Sequence, residues 1–422
     1  MPLPMATGGG DVKGQSGSCR GRHCREGLVS PTGFAACRII GCGMSLIRPF
    51  HLAVPETQLE DLRRRIAATR WPERETVEDW SQGTPLTALQ DLAAYWAGKY
   101  DWRQCEERLN RFDQHLAEID GLDIHFLHVR SPHAEAVPLI LTHGWPGSVI
   151  EFMDVIGPLT DPVAHGGRAD NAFHIVAPSL PGYGFSGKPS SAGWGVERIG
   201  RAWAELMRRL GYTRWFAQGG DWGAIITTVM GGQAPEGLAG IHTNMPIARP
   251  TPRDYEDPSP EVKAAREAGR RYKTFDSGYS AIQSTRPQTI GYGLVDSPVA
   301  LAGWIYEKLW SWTDNGGSPL DALSMDKILD NVMLYWLPGT GASAARLYWE
   351  SFGAIAKSEP VRLPAGVSTF PKEITKAPRQ WAERILHDIV YWNDAPSGGH
   401  FAAWEQPDLF VAEVRACFSL MR

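Results

Sequence analysis

From Ile47 onward the apolar residues follow two rhythms, and the switches between them outline the fold. Leu59, Leu62 and Ile66 recur at helical spacing with Arg63, Arg64 and Arg65 turned outward, and Trp71-Pro72 closes that helix. A second helix is predicted over about 86–100, with Leu89, Leu92 and Trp96 on one face, and a third over about 102–112. The period then shortens. Leu122–Val129 and 137–141 read as strands, and the second runs into Thr142-His143-Gly144-Trp145-Pro146-Gly147-Ser148 before a helix from about Val149. Further strands are predicted at 173–177, Trp215–Gly219 and Leu238–Thr243, with an amphipathic helix at 195–210. Strands that alternate with helices imply a mainly parallel sheet with helices on both faces, an α/β class. From Pro246 to about Gly339 the alternation stops. This stretch is helical and aromatic, with Tyr272, Phe275, Tyr279, Trp304, Tyr306, Trp310 and Trp312, and reads as a cap inserted into the sheet domain. The βα pattern returns with strand 367–370, a helix near 378–385, strand 386–391 and a final helix from Phe401.

Composition narrows the class of function. The 422 residues are 43% hydrophobic and 21% charged, values of a soluble globular protein. A net charge of −5 gives no basic excess for nucleic acid or an anionic membrane. No apolar run is long enough to span a bilayer, which leads to the expectation of a cytoplasmic protein without a membrane anchor. Seventeen Trp suit large apolar pockets as well as cores. Cys19, Cys24, Cys37 and Cys42 fall in the first 43 residues and only Cys105 and Cys417 in the body, which is no disulfide framework. Residues 1–43, rich in Gly, Ser, Arg and Cys, read as disordered or as a start called upstream of Met44. Cys19, His23 and Cys24 match no zinc spacing, so neither metal nor cofactor is expected.

The chemistry gathers at Gly219-Gly220-Asp221-Trp222-Gly223. An apolar strand, a tight turn flanked by small residues and an apolar helix make the pattern of a nucleophile elbow, with Asp where a hydrolase usually carries Ser. A carboxylate is charged at neutral pH and attacks without a base. Alone, Asp before an apolar helix is an ordinary N-cap. Partners in the required order shift the balance. The loop after 137–141 would give the Trp145 N–H to an oxyanion hole, and Trp222 would give the second N–H. His143 reads as a structural residue of that loop. His400, in Ser397-Gly398-Gly399-His400-Phe401, lies between the last strand and last helix, where the general base belongs; His387 sits within a strand and reads as a core or edge residue. For the acid that orients the base, topology leaves Glu373 and Asp394 as alternatives. A two-step reaction follows: Asp221 forms an alkyl ester, and His400 activates the water that hydrolyses it. An epoxide oxygen as leaving group would need a neutral donor, for which Tyr279 and Tyr348 are placed. A halide would need none, and a haloalkane dehalogenase is the alternative, followed by a non-catalytic binder of hydrophobic ligands.

Together these residues resemble the microsomal-type epoxide hydrolases, from about Ile47 to the C-terminus. The resemblance is carried by Pro49-Phe50, Leu59–Ile66 and Tyr100-Asp101-Trp102-Arg103, by His143–Ser148 and by the elbow. It continues through Gln283-Ser284-Thr285-Arg286-Pro287-Gln288-Thr289, Arg346-Leu347-Tyr348, Phe370-Pro371-Lys372-Glu373 and Gly398-Gly399-His400-Phe401. It implies an α/β-hydrolase fold with a helical cap and a helical N-terminal extension, divided at 44–120, 121–245, 246–340 and 341–422. It implies Asp221 as nucleophile, His400 as base, Glu373 rather than Asp394 as its partner, and Tyr279 and Tyr348 as proton donors. The expected substrate is a small apolar epoxide. The N-terminal extension is expected to pack over the cap, with homodimerisation open.

Overall fold

The computed structural model describes residues 47–256, 258–351 and 359–422. The calls made on residues 1–43 lie outside them. Nine strands form one sheet: β1 (Ile47–Phe50), β2 (Gln114–Ile119), β3 (Leu122–Val129), β4 (Val137–Thr142), β5 (Phe173–Pro178), β6 (Trp215–Gly219), β7 (Leu238–Thr243), β8 (Val361–Thr369) and β9 (Leu386–Asp394). Their spatial order is β1-β2-β3-β5-β4-β6-β7-β8-β9. From β5 to β9 every pairing is parallel, while β1, β2 and β3 pair antiparallel at one end. The fold is that of an α/β hydrolase. Each of β4, β6 and β8 ends at the same carboxyl edge, where open parallel sheets bind ligands.

Two strands, β1 and β2, were not foreseen. β1 is only four residues and contains Pro49. β2 carries Gln114, His115 and Glu118, so its polar pattern does not read as a strand. Gln114 is nonetheless buried, because its amide donates to Leu109 O and Asn110 Oδ1 and its oxygen faces His125 Nε2 at 3.0 Å. The N-terminal extension is therefore helices plus two strands at one end of the sheet, β1 at the edge and β2 beside it. Its helices Glu56–Ala67, Leu86–Gly98 and Trp102–Asn110 pack against helices Pro298–Trp312 and Met325–Trp336 of the inserted stretch. Trp80 stacks on Trp310 with centroids 5.2 Å apart, and Tyr100 donates to buried Asp330 at 2.7 Å. The inserted helical stretch also runs on beyond Gly339, through helix Gly341–Ser351.

The helix after the elbow, Trp222–Gln233, is buried along ten of its twelve residues. Such a helix needs small residues where it meets the sheet. A Cβ at Gly223 would overlap the carbonyl oxygen of Thr142, at the end of β4, and one at Gly219 would overlap the Gly223 carbonyl. We expect Gly223→Ala to destabilise the protein by about 1–3 kcal/mol or more through this overpacking. A lower urea midpoint at unchanged slope would report it. Gly269→Ala is the control: that site lies on an exposed helix face with nothing within 4 Å, and the substitution should be neutral or stabilising by up to about 1 kcal/mol.

Candidate active site

Asp221 occupies the turn between β6 and the buried helix with φ 50° and ψ −125°. A non-glycine residue held at positive φ costs on the order of 1–3 kcal/mol and marks a position fixed by its surroundings. The turn lifts the carboxylate out of the sheet edge. Oδ1 accepts the backbone N–H of Trp145 at 2.8 Å. Gly144, just before it, has no room for a Cβ because the Asp221 side chain fills that space. Trp222 opens the helix, so its N–H is among the first-turn donors that lack a helical acceptor.

The other oxygen, Oδ2, lies 3.3 Å from Nε2 of His400. On the far side of the ring, Nδ1 stands 2.6 Å from Oε1 of Glu373, which also accepts the Ile374 N–H at 2.7 Å. Both His400 and Glu373 are buried. Burial alone would push the imidazole down, but the carboxylates of Glu373 and Asp221 more than offset it and hold His400 well above the usual histidine range. Two loops make this contact. The Lys372 N–H donates to Gly398 O at 3.1 Å, which ties the turn after β8 to the loop that carries His400. The His400 N–H donates to Trp312 O at 2.9 Å. Asp394 is elsewhere: it is exposed at the end of β9 and accepts from Thr369 Oγ1 at 2.5 Å. His387 is exposed on β9, so of the two readings it is an edge residue and not a core one. His143 uses both nitrogens structurally, Nδ1 with Gly144 O of its own loop at 2.9 Å and Nε2 with the Leu180 N–H of the loop after β5 at 3.2 Å. Burial lowers it to about 4, so it stays neutral.

Aromatic rings close over the carboxylate. Tyr279 stacks on Trp145 at 4.8 Å, Tyr348 meets Trp222 edge-on at 4.7 Å, and the two tyrosine rings lie 5.7 Å apart. Both tyrosines are buried. Burial pushes both phenols well above their ordinary value, so each remains an O–H donor at neutral pH. Tyr348 Oη has no protein hydrogen-bond partner, whereas Tyr279 Oη lies 3.0 Å from Tyr272 Oη. Trp312 touches both halves of the site, with its ring 5.2 Å from Tyr279 and 5.1 Å from His400. Asp276 fixes it by accepting from Trp312 Nε1 at 2.7 Å, and it also pairs with buried Lys308 at 2.7 Å. The Lys308 ammonium stands 4.8 Å above the Tyr279 ring. The sequence reading missed Asp276, Lys308 and the bond from Tyr272. The only trace they leave in sequence is their closeness to Tyr279 and Trp312. Among the described residues, no group of three or more His, Cys, Asp or Glu could hold a metal ion, and no helix is long and apolar enough to cross a membrane.

The site can thus present a held carboxylate, an imidazole backed by a second carboxylate, and two buried phenol donors. Known proteins with the same framework point the same way. Residues 47–152 match the family model described as epoxide hydrolase N terminus, and residues 137–281 match the alpha/beta hydrolase fold. A Stigmatella aurantiaca protein that carries the name epoxide hydrolase provisionally is 56% identical over 376 residues, covering 89% of this chain and 86% of its own. Epoxide hydrolase 1 of Sus scrofa is 34% identical, with 89% of each chain covered. The crystal structure of juvenile hormone epoxide hydrolase from Bombyx mori superposes with a TM-score of 0.82 at 30% identity, covering 90% of this chain and 95% of that one. With an Asp elbow, this N-terminal region and relatives of that identity along most of its length, the chain belongs to the epoxide hydrolase family.

Proposed function

We propose that the protein opens a small apolar epoxide to a vicinal diol through a covalent ester on Asp221. The observation that carries this reading is the line from Glu373 to His400 to Asp221, at 2.6 Å and 3.3 Å, beneath two buried tyrosines. In the first step Oδ2 attacks one oxirane carbon while Trp145 N–H holds Oδ1. The carbon–oxygen bond of the ring breaks, and the departing oxygen takes a proton from Tyr279 or Tyr348. Esterification removes the Asp221 charge, one of the two that keep His400 protonated. The imidazolium then loses its proton and becomes the base for the second step. His400 Nε2 takes a proton from water, the water oxygen bonds to Asp221 Cγ, and the N–H groups of Trp145 and Trp222 hold the oxyanion on Oδ1. On collapse the departing alkoxide takes the proton held by His400, which completes the diol, and the Asp221 carboxyl passes its own proton to the imidazole, which restores the starting ion pair. The phenolate regains from solvent the proton that the imidazolium gave up after the first step.

Diol formation from styrene oxide, run beside halide release from a haloalkane, tests the reaction class. Diol without halide supports the proposal, and halide without diol sinks it. Tyr279→Phe and Tyr348→Phe should each slow alkylation by roughly 100-fold, the lower end of general-acid contributions. Rapid-quench measurement of ester formation reads that step directly. A double Phe variant that alkylates at the wild-type rate would remove the tyrosines from the mechanism.

A further inference from the structure

The two steps leave one half-buried acid without a task. Glu151 lies in the short 3-10 turn Val149–Phe152, directly after the loop that supplies the Trp145 N–H. Its side chain folds back over that loop, so that a Cβ at Gly147 would collide with Glu151 Oε1. Burial pushes its carboxyl up to about 8, with the Asp221 charge adding to the rise and His400 opposing it. Among the described residues no Lys, Arg or His forms an ion pair with it. Keeping a carboxyl out of water without such a partner is costly. At neutral pH it is therefore largely an uncharged acid, able both to donate and to accept a hydrogen bond.

Glu151 faces a cavity of about 20 Å³ whose walls also include Thr142, Gln218, Asp221, Asn244 and His400. One water fits a space of about this size, provided two to four polar groups meet it. The walls supply them. Gln218 Oε1 is buried and has no protein hydrogen-bond partner, and His400 Nε2 faces only Asp221 Oδ2, at 3.3 Å. Gln218 is held from its other end, where Nε2 donates to Asn244 Oδ1 at 2.9 Å. The cavity thus joins the base, the carbon to be attacked and, in Gln218 Oε1, a buried acceptor that no protein group satisfies.

We infer that this cavity is the binding site of the water consumed in ester hydrolysis, and that the Glu151 carboxyl holds that water between His400 Nε2 and Asp221 Cγ. The inference rests on the two-step mechanism proposed above. In the step itself the water oxygen bonds to Cγ and one water proton passes to His400. Glu151 keeps its own proton count and fixes the orientation of the attacking oxygen.

Styrene oxide mixed rapidly with excess enzyme, quenched in acid and followed by peptide mass spectrometry, separates the two rates. Glu151→Leu should slow hydrolysis by about 10- to 100-fold, the scale of a misoriented reactant, and leave alkylation within about twofold of wild type. The ester should then accumulate on Asp221. Glu151→Gln keeps the shape and the hydrogen-bonding capacity, and should restore hydrolysis to within about threefold of wild type. Should Glu151→Leu fail to fold, Glu151→Asp carries the test, since it withdraws the carboxyl by one methylene and should slow hydrolysis alone. Loss of both steps together without rescue by Gln would mean that Glu151 only supports the loop, and the inference would fall. So would it if the ester hydrolysed at the wild-type rate in Glu151→Leu. If wild-type enzyme formed no Asp221 ester, the mechanism itself would fail, a result distinct from either.

Discussion

Asp221→Ala is expected to reduce diol formation by at least about 10⁴-fold, the scale seen when a covalent nucleophile is removed. The geometry explains why the loss should be so large. Oδ1 is already engaged by Trp145 N–H at 2.8 Å, so the carboxylate is oriented before substrate arrives. The backbone that carries it is held at φ 50°. Neither Glu373 nor Asp394 can take over: Glu373 is committed to His400 and Ile374, and Asp394 is exposed at the end of β9. The sharper measurement uses wild-type enzyme in excess over substrate in heavy-oxygen water. The diol should take its new oxygen from Asp221, and the label should appear in the Asp221 carboxylate. Label confined to the diol after a single turnover would mean direct attack by water and would exclude the ester.

The elbow could be read from sequence because its constraints are local. Gly219 and Gly223 are small since each backbone nearly touches another, and those contacts fall within a turn of Asp221 or on the adjacent strand end. His400 was legible for a related reason, being the histidine on a glycine-rich loop at the correct edge. The acid was not decided by topology. Glu373 and Asp394 both follow strands, and what separates them is a backbone bond between Lys372 and Gly398 that draws two distant loops together. Strands β1 and β2 escaped because a short edge segment with Pro49 and a polar strand give no period-two apolar signal. Asp276, Lys308 and Glu151 escaped for a third reason. Each is an ordinary charged residue on a helix or turn, and only packing of the finished fold takes it out of water. The alternative of a binder without chemistry loses ground on the same geometry. A protein that merely held apolar ligands would have no use for the costly burial of His400 between two carboxylates.

His400→Gln should divide the reaction at its midpoint. Alkylation needs only the Asp221 carboxylate and the tyrosines, so the variant should still consume one epoxide per active site. Hydrolysis should slow by about 10²- to 10⁴-fold, the usual worth of a general base, and the ester should become stable enough to isolate. Some loss in the alkylation rate is also expected, because His400 Nε2 stands 3.3 Å from Oδ2 and helps to orient that carboxylate. The pH dependence gives an independent check. In the ester, His400 has lost the Asp221 charge that supports its protonated form, while Glu373 still does so. Wild-type hydrolysis should therefore rise with pH as the imidazolium of the ester deprotonates, then level off. His400→Gln should lack that rise altogether. Glu373→Gln should lie between the two: the ring keeps a hydrogen-bond partner at Nδ1 but loses the charge that stabilises the imidazolium, so the rise should move to lower pH and the plateau should drop. If His400→Gln turned over at the wild-type rate with the same pH profile, the base would have to be another group, and the line from Glu373 to Asp221 would be structural.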